Sequence, residues 1–196
     1  MAETAIPLFH SLDDFLAWEE NQELRYELLP GGVITMMAGG TDDHHQITTN
    51  IIVALEPRVR DRPCYVYGSV AKVLARHSNA VVYPDVVVRC GPRPGKSTVI
   101  EDPIVVFEVL SEGTARNDLT RKRQVYKGIP SVAAIVYVSQ DEQRIDIVRR
   151  GVSGSFDDEV LEGPDAVLDL PELGAELSLA EIFRATAVAA ATGETT

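Results

Sequence analysis

The chain has 196 residues, 45% of them hydrophobic, and a net charge of -12 at pH 7. That length fills one core rather than two, no apolar run approaches the roughly 18 residues of a membrane span, and the opening MAETAIPLFHSLDD lacks a basic region followed by an apolar stretch. A single soluble, cytoplasmic domain over residues 1–186 is therefore expected, with 187–196 as a frayed tail and no membrane partner, and the negative balance excludes a protein that coats nucleic acid through bulk charge, an affinity that comes from Lys and Arg displacing counterions. The charge is uneven: residues 1–30 carry one Arg against seven acids, 151–196 one Arg against ten, and 113–150 eight Lys and Arg against four. The middle of the chain can present a basic face. Cys64 and Cys90, without CxxC spacing, read as buried reduced thiols rather than a bridge or a zinc pair.

Taken in chain order, Ser11 caps a helix over LDDFLAWEENQ, with Leu12, Phe15, Leu16 and Glu19 at helical spacing. RYELLPGGVITMMAG predicts a β-hairpin around Pro30-Gly31-Gly32. Asp42 or Asp43 caps a second helix to about Arg60, with Ile47, Ile51, Ala54 and Leu55 inward. CYVYGSVAKVLA reads as two strands, VVYPDVVVR as one and DPIVVFEVLS as another, their near-continuous apolar character placing them centrally with both faces covered. TARNDLTRKRQVYKG predicts a basic amphipathic helix, VAAIVYVS and RIDIVRR further strands, and 151–177 short strands and loops. Ser178 with Glu181 is a capping-box pattern opening a last helix, SLAEIFRATAV. The class is α/β.

Two residues in these apolar strands are costly to bury. Alternation puts Tyr83, Asp85 and Val87 on one face of their strand, and Val106, Glu108 and Leu110 on one face of theirs. If the strands are neighbours, the carboxylates converge, and they then share a proton or bind a cation. Hard oxygen donors favour Mg²⁺, Mn²⁺ or Ca²⁺, and the lack of thiol and imidazole clusters disfavours zinc. The competing reading pairs each acid with a basic residue, for instance Glu108 with Lys122. On the basic helix, Leu119, Lys122, Tyr126 and Ile129 form an inner stripe. Lys122 could orient water or stabilise charge on a phosphate, or simply pair with Asp118.

Other signals carry less. CGPRPGKST ends like a phosphate-binding loop, but Cys90 stands where the first glycine is required and Pro92 and Pro94 remove N–H donors. Its Arg93 and Lys96 could touch a nucleic-acid backbone. His44-His45 lacks the i, i+4 pairing of a helical zinc site, leaving capping, exposure or a hydrogen bond near an active site. GVSGS is not a nucleophile elbow.

YELLPGG, His45-Gln46, YPDVVV, FEVLSEGT and a DxxxKxxxY helix, in this order between Arg25 and Arg150, resemble the Uma-two, restriction-endonuclease-like branch of the PD-(D/E)XK nucleases. The resemblance implies a mixed central sheet flanked by helices, and Mg²⁺- or Mn²⁺-dependent cleavage of nucleic acid, DNA in the first instance. It implies Asp85 and Glu108 as metal carboxylates, Glu27 as a further acid at the same site, and Lys122 as the catalytic lysine moved from strand to helix. The usual lysine position, two residues after the strand acid, is Leu110. The alternative is an inactive, dimeric binding or scaffold protein that keeps the nuclease fold. A homodimer is expected in either case, on the resemblance and on an exposed apolar segment, VITMMA.

Overall fold

A computed structural model describes residues 9, 11–36, 40–93, 95–110 and 118–193, leaving outside it the side chains at 33, 35, 36, 118 and 191–193. In chain order the elements are α1 (Leu12–Glu19), β1 (Tyr26–Leu29), β2 (Val33–Met36), α2 (Asp42–Val59), β3 (Cys64–Gly68), β4 (Lys72–Ala75), β5 (Ala80–Val82), β6 (Val86–Cys90), β7 (Val99–Ile100) and β8 (Pro103–Leu110). A π-helical turn, Asp118–Lys122, then runs into α3 (Arg123–Gly128). After it come β9 (Ala134–Ser139), β10 (Arg144–Arg150), β11 (Phe156–Glu162), β12 (Val167–Leu170), β13 (Ala175–Ser178), α4 (Leu179–Ile182) and α5 (Ala187–Gly193).

The strands form a five-stranded sheet, β2-β1-β5-β4-β7, a six-stranded sheet, β11-β10-β9-β8-β6-β3, and a separate β12-β13 ribbon. The larger sheet is mixed, because β8 and β9 run parallel while its other neighbours are antiparallel. Its central strands are covered on both faces, which is why they read as continuous apolar runs. On one face Val86, Val88, Val105, Phe107 and Val109 pack with Ile47, Ile51 and Leu55 of α2 and with the β12-β13 ribbon and α4. On the other, Val87, Val106, Ile135 and Tyr137 meet Val125, Tyr126 and Ile129 together with Leu29, Val73 and Val82 of the five-stranded sheet. The smaller sheet's outer face packs Leu28, Leu74 and Val81 on Leu12 and Phe15 of α1. The chain is thus layered, with one face of α3, carrying Val125 and Tyr126, packed between the two sheets.

Local chemistry sets the boundaries. Ser11 accepts from the Asp14 N–H to cap α1, and Thr41, rather than Asp42 or Asp43, accepts from the His44 N–H to cap α2. Gly31 and Gly32 turn the β1–β2 hairpin at φ of 85° and 75°, which L side chains resist. The capping box at Ser178 and Glu181 is formed. At Gly128, which ends α3, an added Cβ would overlap the His77 imidazole, so that helix end lies tight against the turn between β4 and β5.

Several expectations are corrected. VVYPDVVVR is not one strand: β5 and β6 belong to different sheets, and Tyr83-Pro84-Asp85 is the crossing between them. Pro84 has no N–H to offer a ladder, so the break falls where chemistry requires one. Leu119 is 37% exposed and leaves the inner stripe, because the π-helical turn takes more residues per turn than an α-helix and so breaks the three- and four-residue spacing. Cys64 and Cys90 form a disulfide rather than two thiols; they are direct partners in the β3–β6 register with Cα atoms 4.0 Å apart, a proximity that their separation of 26 residues hides. The last helix stops at Ile182 and α5 follows, with Ala185 between them at a φ of 61°, so residues 187–193 are helical where a frayed tail was expected. Within VITMMA, residues 37 and 38 and the side chains of Val33, Thr35 and Met36 lie outside the described residues, while Ile34 is half-buried against the α1 cluster. Among the described residues no helix is long and apolar enough to cross a membrane.

The Arg89 guanidinium holds Asp102 through two hydrogen bonds, at 2.8 and 2.7 Å, and also donates to the Pro92 carbonyl, pinning the 91–98 loop to β6. The Asp102 carboxyl is drawn below the ordinary aspartate value of 3.8, chiefly by the hydrogen bond from Arg89. Because the folded value is the lower one, its contribution is present above the unfolded value and is lost as pH falls through the folded one. Arg89 is buried but Asp102 is half-exposed, so solvent screens the pair and its contribution is discounted accordingly. Asp102→Asn should lower the melting temperature by about 2 °C at pH 7, and the gap should close below about pH 3.8, as read by thermal unfolding across pH.

Candidate active site

The strands deliver their acids to the seam where the sheets meet. Glu27 stands on β1, on the same face as Leu29, and looks into the interlayer. Glu108 stands on β8 between Val106 and Leu110 and enters the same space from the other sheet. Both are nearly closed to solvent, at 8% and 3% side-chain exposure. Two desolvated carboxylates facing one another demand a cation, and Lys122 supplies it: Nζ lies 2.9 Å from Glu27 Oε1 and 3.2 Å from Glu108 Oε1.

Helical spacing completes the cluster. Lys122 closes the π-helical turn and Tyr126 follows four residues later on the same helix face, so both reach Glu108. The Tyr126 hydroxyl donates to Glu108 Oε1 at 2.5 Å. Burial, then the negative charges of Glu108 and Glu27, push the Tyr126 phenol well above its ordinary value, so it stays a donor across all working pH. Glu27 Oε1 also accepts the Tyr83 N–H at 2.8 Å, which ties the acid on β1 to the crossing segment.

Asp85 sits where β6 begins. Val86 pairs with Phe107, so one more step of the antiparallel register sets Asp85 opposite Glu108. Its Oδ2 accepts the Val109 N–H at 2.7 Å, taking a donor that the β6 backbone leaves unused as the chain swerves at Pro84. Its Oδ1 lies 3.3 Å from His44 Nε2, in the first turn of α2. Sequence reasoning attached the histidine of the pattern to His45; His45 is exposed, and His44 is the one turned to Asp85. The clue available was the Thr41 cap, which fixes the helix phase that aims His44 inward. The Asp118 side chain, the other candidate partner for Lys122, is outside the described residues.

Asp85, Glu108, Lys122 and Glu27 are therefore gathered at one place. The competing expectation, a Glu108–Lys122 ion pair, is present as geometry. Among the described residues no group of three or more His, Cys, Asp or Glu is arranged to hold a metal ion. The set that remains for a cation is the pair of carboxylates on β8 and at the start of β6. That donor chemistry suits a magnesium-type ion, which takes one or two carboxylates and fills its other positions from water and phosphate.

The model of the Uma2 family, described as "Putative restriction endonuclease", matches residues 12–181. The chain belongs to this family. It is 28% identical over 178 residues to the uncharacterized protein slr1290 of Synechocystis, covering 90% of this chain and 93% of that one. It is 26% identical over 137 residues to a second uncharacterized Synechocystis protein, sll1609, covering 68% and 76% respectively. Among solved structures it resembles one from Anabaena variabilis, described as a putative nuclease, with a TM-score of 0.72 at 20% identity over 88% of this chain and 97% of that one. That likeness shows the mixed α/β fold of this family member, a restriction-endonuclease-like sheet flanked by helices.

Removing the cation should expose the cost of the arrangement. Lys122→Met leaves Glu27 and Glu108 buried without a countercharge and should destabilise the fold by about 3–5 kcal/mol at pH 7 in urea unfolding. Adding Glu108→Gln to that variant should recover part of the loss, a non-additivity that a double-mutant cycle measures directly.

Proposed function

We propose that this chain is a metal-dependent endonuclease that hydrolyses phosphodiester bonds of nucleic acid, with DNA as the first substrate to test. The observation that carries the reading is the convergence of Asp85, Glu108 and Lys122 at the sheet seam, in a chain whose family carries the description "Putative restriction endonuclease". A structural ion pair buried here would be matched or bettered in stability by apolar residues of similar size, so a buried acid–lysine cluster at a conspicuous fold position argues for chemistry.

In this reading Asp85 and Glu108 are the ligands of Mg²⁺ or Mn²⁺. The chemistry supplied by a bound ion is charge neutralisation at the phosphate and activation of water at neutral pH. The Val109 N–H and His44 hold the Asp85 carboxylate in one orientation, while Tyr126 does the same for Glu108. Lys122, held by Glu27 and Glu108, would set its ammonium beside the negative charge that develops on a phosphate under attack. Glu27, proposed from sequence as a third ligand, is better used as the anchor of that amine, since it already shares the Tyr83 N–H and the ammonium.

Supercoiled plasmid and single-stranded DNA, incubated with Mg²⁺ or Mn²⁺, should be cut by the unaltered protein and at least about 100-fold more slowly by Asp85→Asn and Lys122→Ala. Equal cutting by all of them would assign the activity to a contaminant and end this reading.

The second reading, a binding or scaffold protein without turnover, is favoured by one observation: each carboxylate already has protein donors, so the cluster is self-satisfied without an ion. Nucleic-acid binding that is indifferent to Glu108→Gln, with no cleavage under any divalent ion, would select it.

The proposed assembly is a homodimer joined at β2, which among the described residues is an edge of the five-stranded sheet where a second copy's strand can add. Light scattering during size exclusion at micromolar concentration should give twice the chain mass; the mass of one chain would rule out that dimer.

A further inference from the structure

A cavity of about 350 Å³ opens where the free edges of the two sheets come together. Tyr67 on β3 forms one wall, Ile100 on β7 another, and Arg93, Ser97 and Thr98 of the intervening loop close it. β3 carries Tyr65 and Tyr67 two residues apart, and so on one face of the edge strand, both half-buried. The Arg93 guanidinium lies 4.8 Å above the Tyr65 ring. Arg93 and Lys96 are exposed, and among the described residues neither has a carboxylate partner, whereas the acids nearest in sequence, Glu101 and Asp102, are held by Arg76 and Arg89. In a chain of net charge -12, this loop is a local positive spot.

The cavity is also in register with the acids. Tyr65, Tyr67 and Gly68 pair with Arg89, Val87 and Val86 on β6, and the next residue along β6 is Asp85. Tyr67 and Asp85 are thus diagonal neighbours, about 7–8 Å apart. The tyrosine face of β3 leads toward the carboxylates, with cations on its outer side.

We propose that this cavity is a subsite for a single-stranded stretch of nucleic acid next to the scissile phosphate: a base stacks on Tyr67, and Arg93 and Lys96 hold the adjoining phosphates. Aromatic faces beside a cationic loop bind single strands of any sequence, because every base offers a π-face. A cavity of about 350 Å³ is the size of a small-molecule site and takes an unstacked nucleotide, not a duplex. The inference rests on the nuclease reading above and adds to it the form of the substrate: a strand that is single, or frayed, beside the cut.

The test separates binding from cleavage. Fluorescence anisotropy in EDTA, with a labelled single-stranded oligonucleotide, its duplex and a labelled mononucleotide, is read for the unaltered protein, Tyr67→Ala, Tyr67→Phe and Arg93→Ala. The single strand should bind more tightly than the duplex or the mononucleotide. Tyr67→Ala should weaken it about tenfold and Tyr67→Phe, which keeps the ring, should restore binding. Arg93→Ala should weaken it and flatten the dependence of log affinity on log salt by about 0.7. Preferred duplex binding indifferent to Tyr67, or single-strand affinity unchanged in Tyr67→Ala and Arg93→Ala, would overturn the subsite. Tyr67-dependent binding by a protein that cuts nothing would keep the subsite and reject the nuclease.

Discussion

One ammonium group between two sheets is the constraint on which the centre of this fold turns. Lys122 meets Glu27 from the five-stranded sheet and Glu108 from the six-stranded sheet inside an otherwise apolar layer. Each carboxylate alone would be too costly to bury, and so would the amine; together they neutralise most of that cost without yielding a large net gain. The arrangement therefore acts less as a source of stability than as a requirement for register. A slip of one residue in β8 would turn Glu108 to the α2 side, leaving Tyr126 without its acceptor and Lys122 with Glu27 alone.

The same constraint explains the crossing at Tyr83-Pro84-Asp85. For Glu27 to reach the interlayer, β1 must pair with β5, and for Asp85 to reach β8, β6 must pair in the other sheet. The chain satisfies both by leaving one sheet and joining the next within three residues. Backbone groups stranded by the swerve are recovered by the acids: Glu27 takes the N–H of Tyr83 and Asp85 takes that of Val109. On the reverse side, the Tyr83 hydroxyl donates to Glu19, which also holds Lys72 at 2.7 Å, so α1 clamps the crossing from outside. Burial and the Glu19 carboxylate raise the Tyr83 phenol far above its ordinary value, which keeps that donor protonated.

The parts of this design written in local chemistry were legible in the sequence. Acids at 85 and 108 stand out because they interrupt runs of valine, and a carboxylate there has few inexpensive explanations. Lys122 and Tyr126 follow from helical spacing. What the sequence hid depends on register or on departures from regular geometry. VVYPDVVVR has the pattern of one strand although Pro84 divides it between sheets, Leu119 fits an α-helical stripe that the π-helical turn rotates away, and Cys64 meets Cys90 only because β3 and β6 pair without a shift. His44 and His45 are neighbours in sequence with nothing to rank them until the Thr41 cap sets the phase of α2.

The charge distribution gives the site a direction. A strongly acidic chain repels polyanions at long range, so any nucleic acid must be met by local cations whose acids have been removed or occupied. Near the 91–98 loop that condition holds, since Arg76 and Arg89 take up Glu101 and Asp102 and leave Arg93 and Lys96 outward. At the far edge of the larger sheet, β11 instead lines up Asp157, Asp158 and Glu159, of which, among the described residues, only Asp158 is held in an ion pair, by Arg123. Exposed acids along that edge discourage both strand addition and phosphate approach. The protein thus presents one edge lined with acids and another, beside β3, where Arg93 and the rings of Tyr65 and Tyr67 lie next to the strand that follows Asp85.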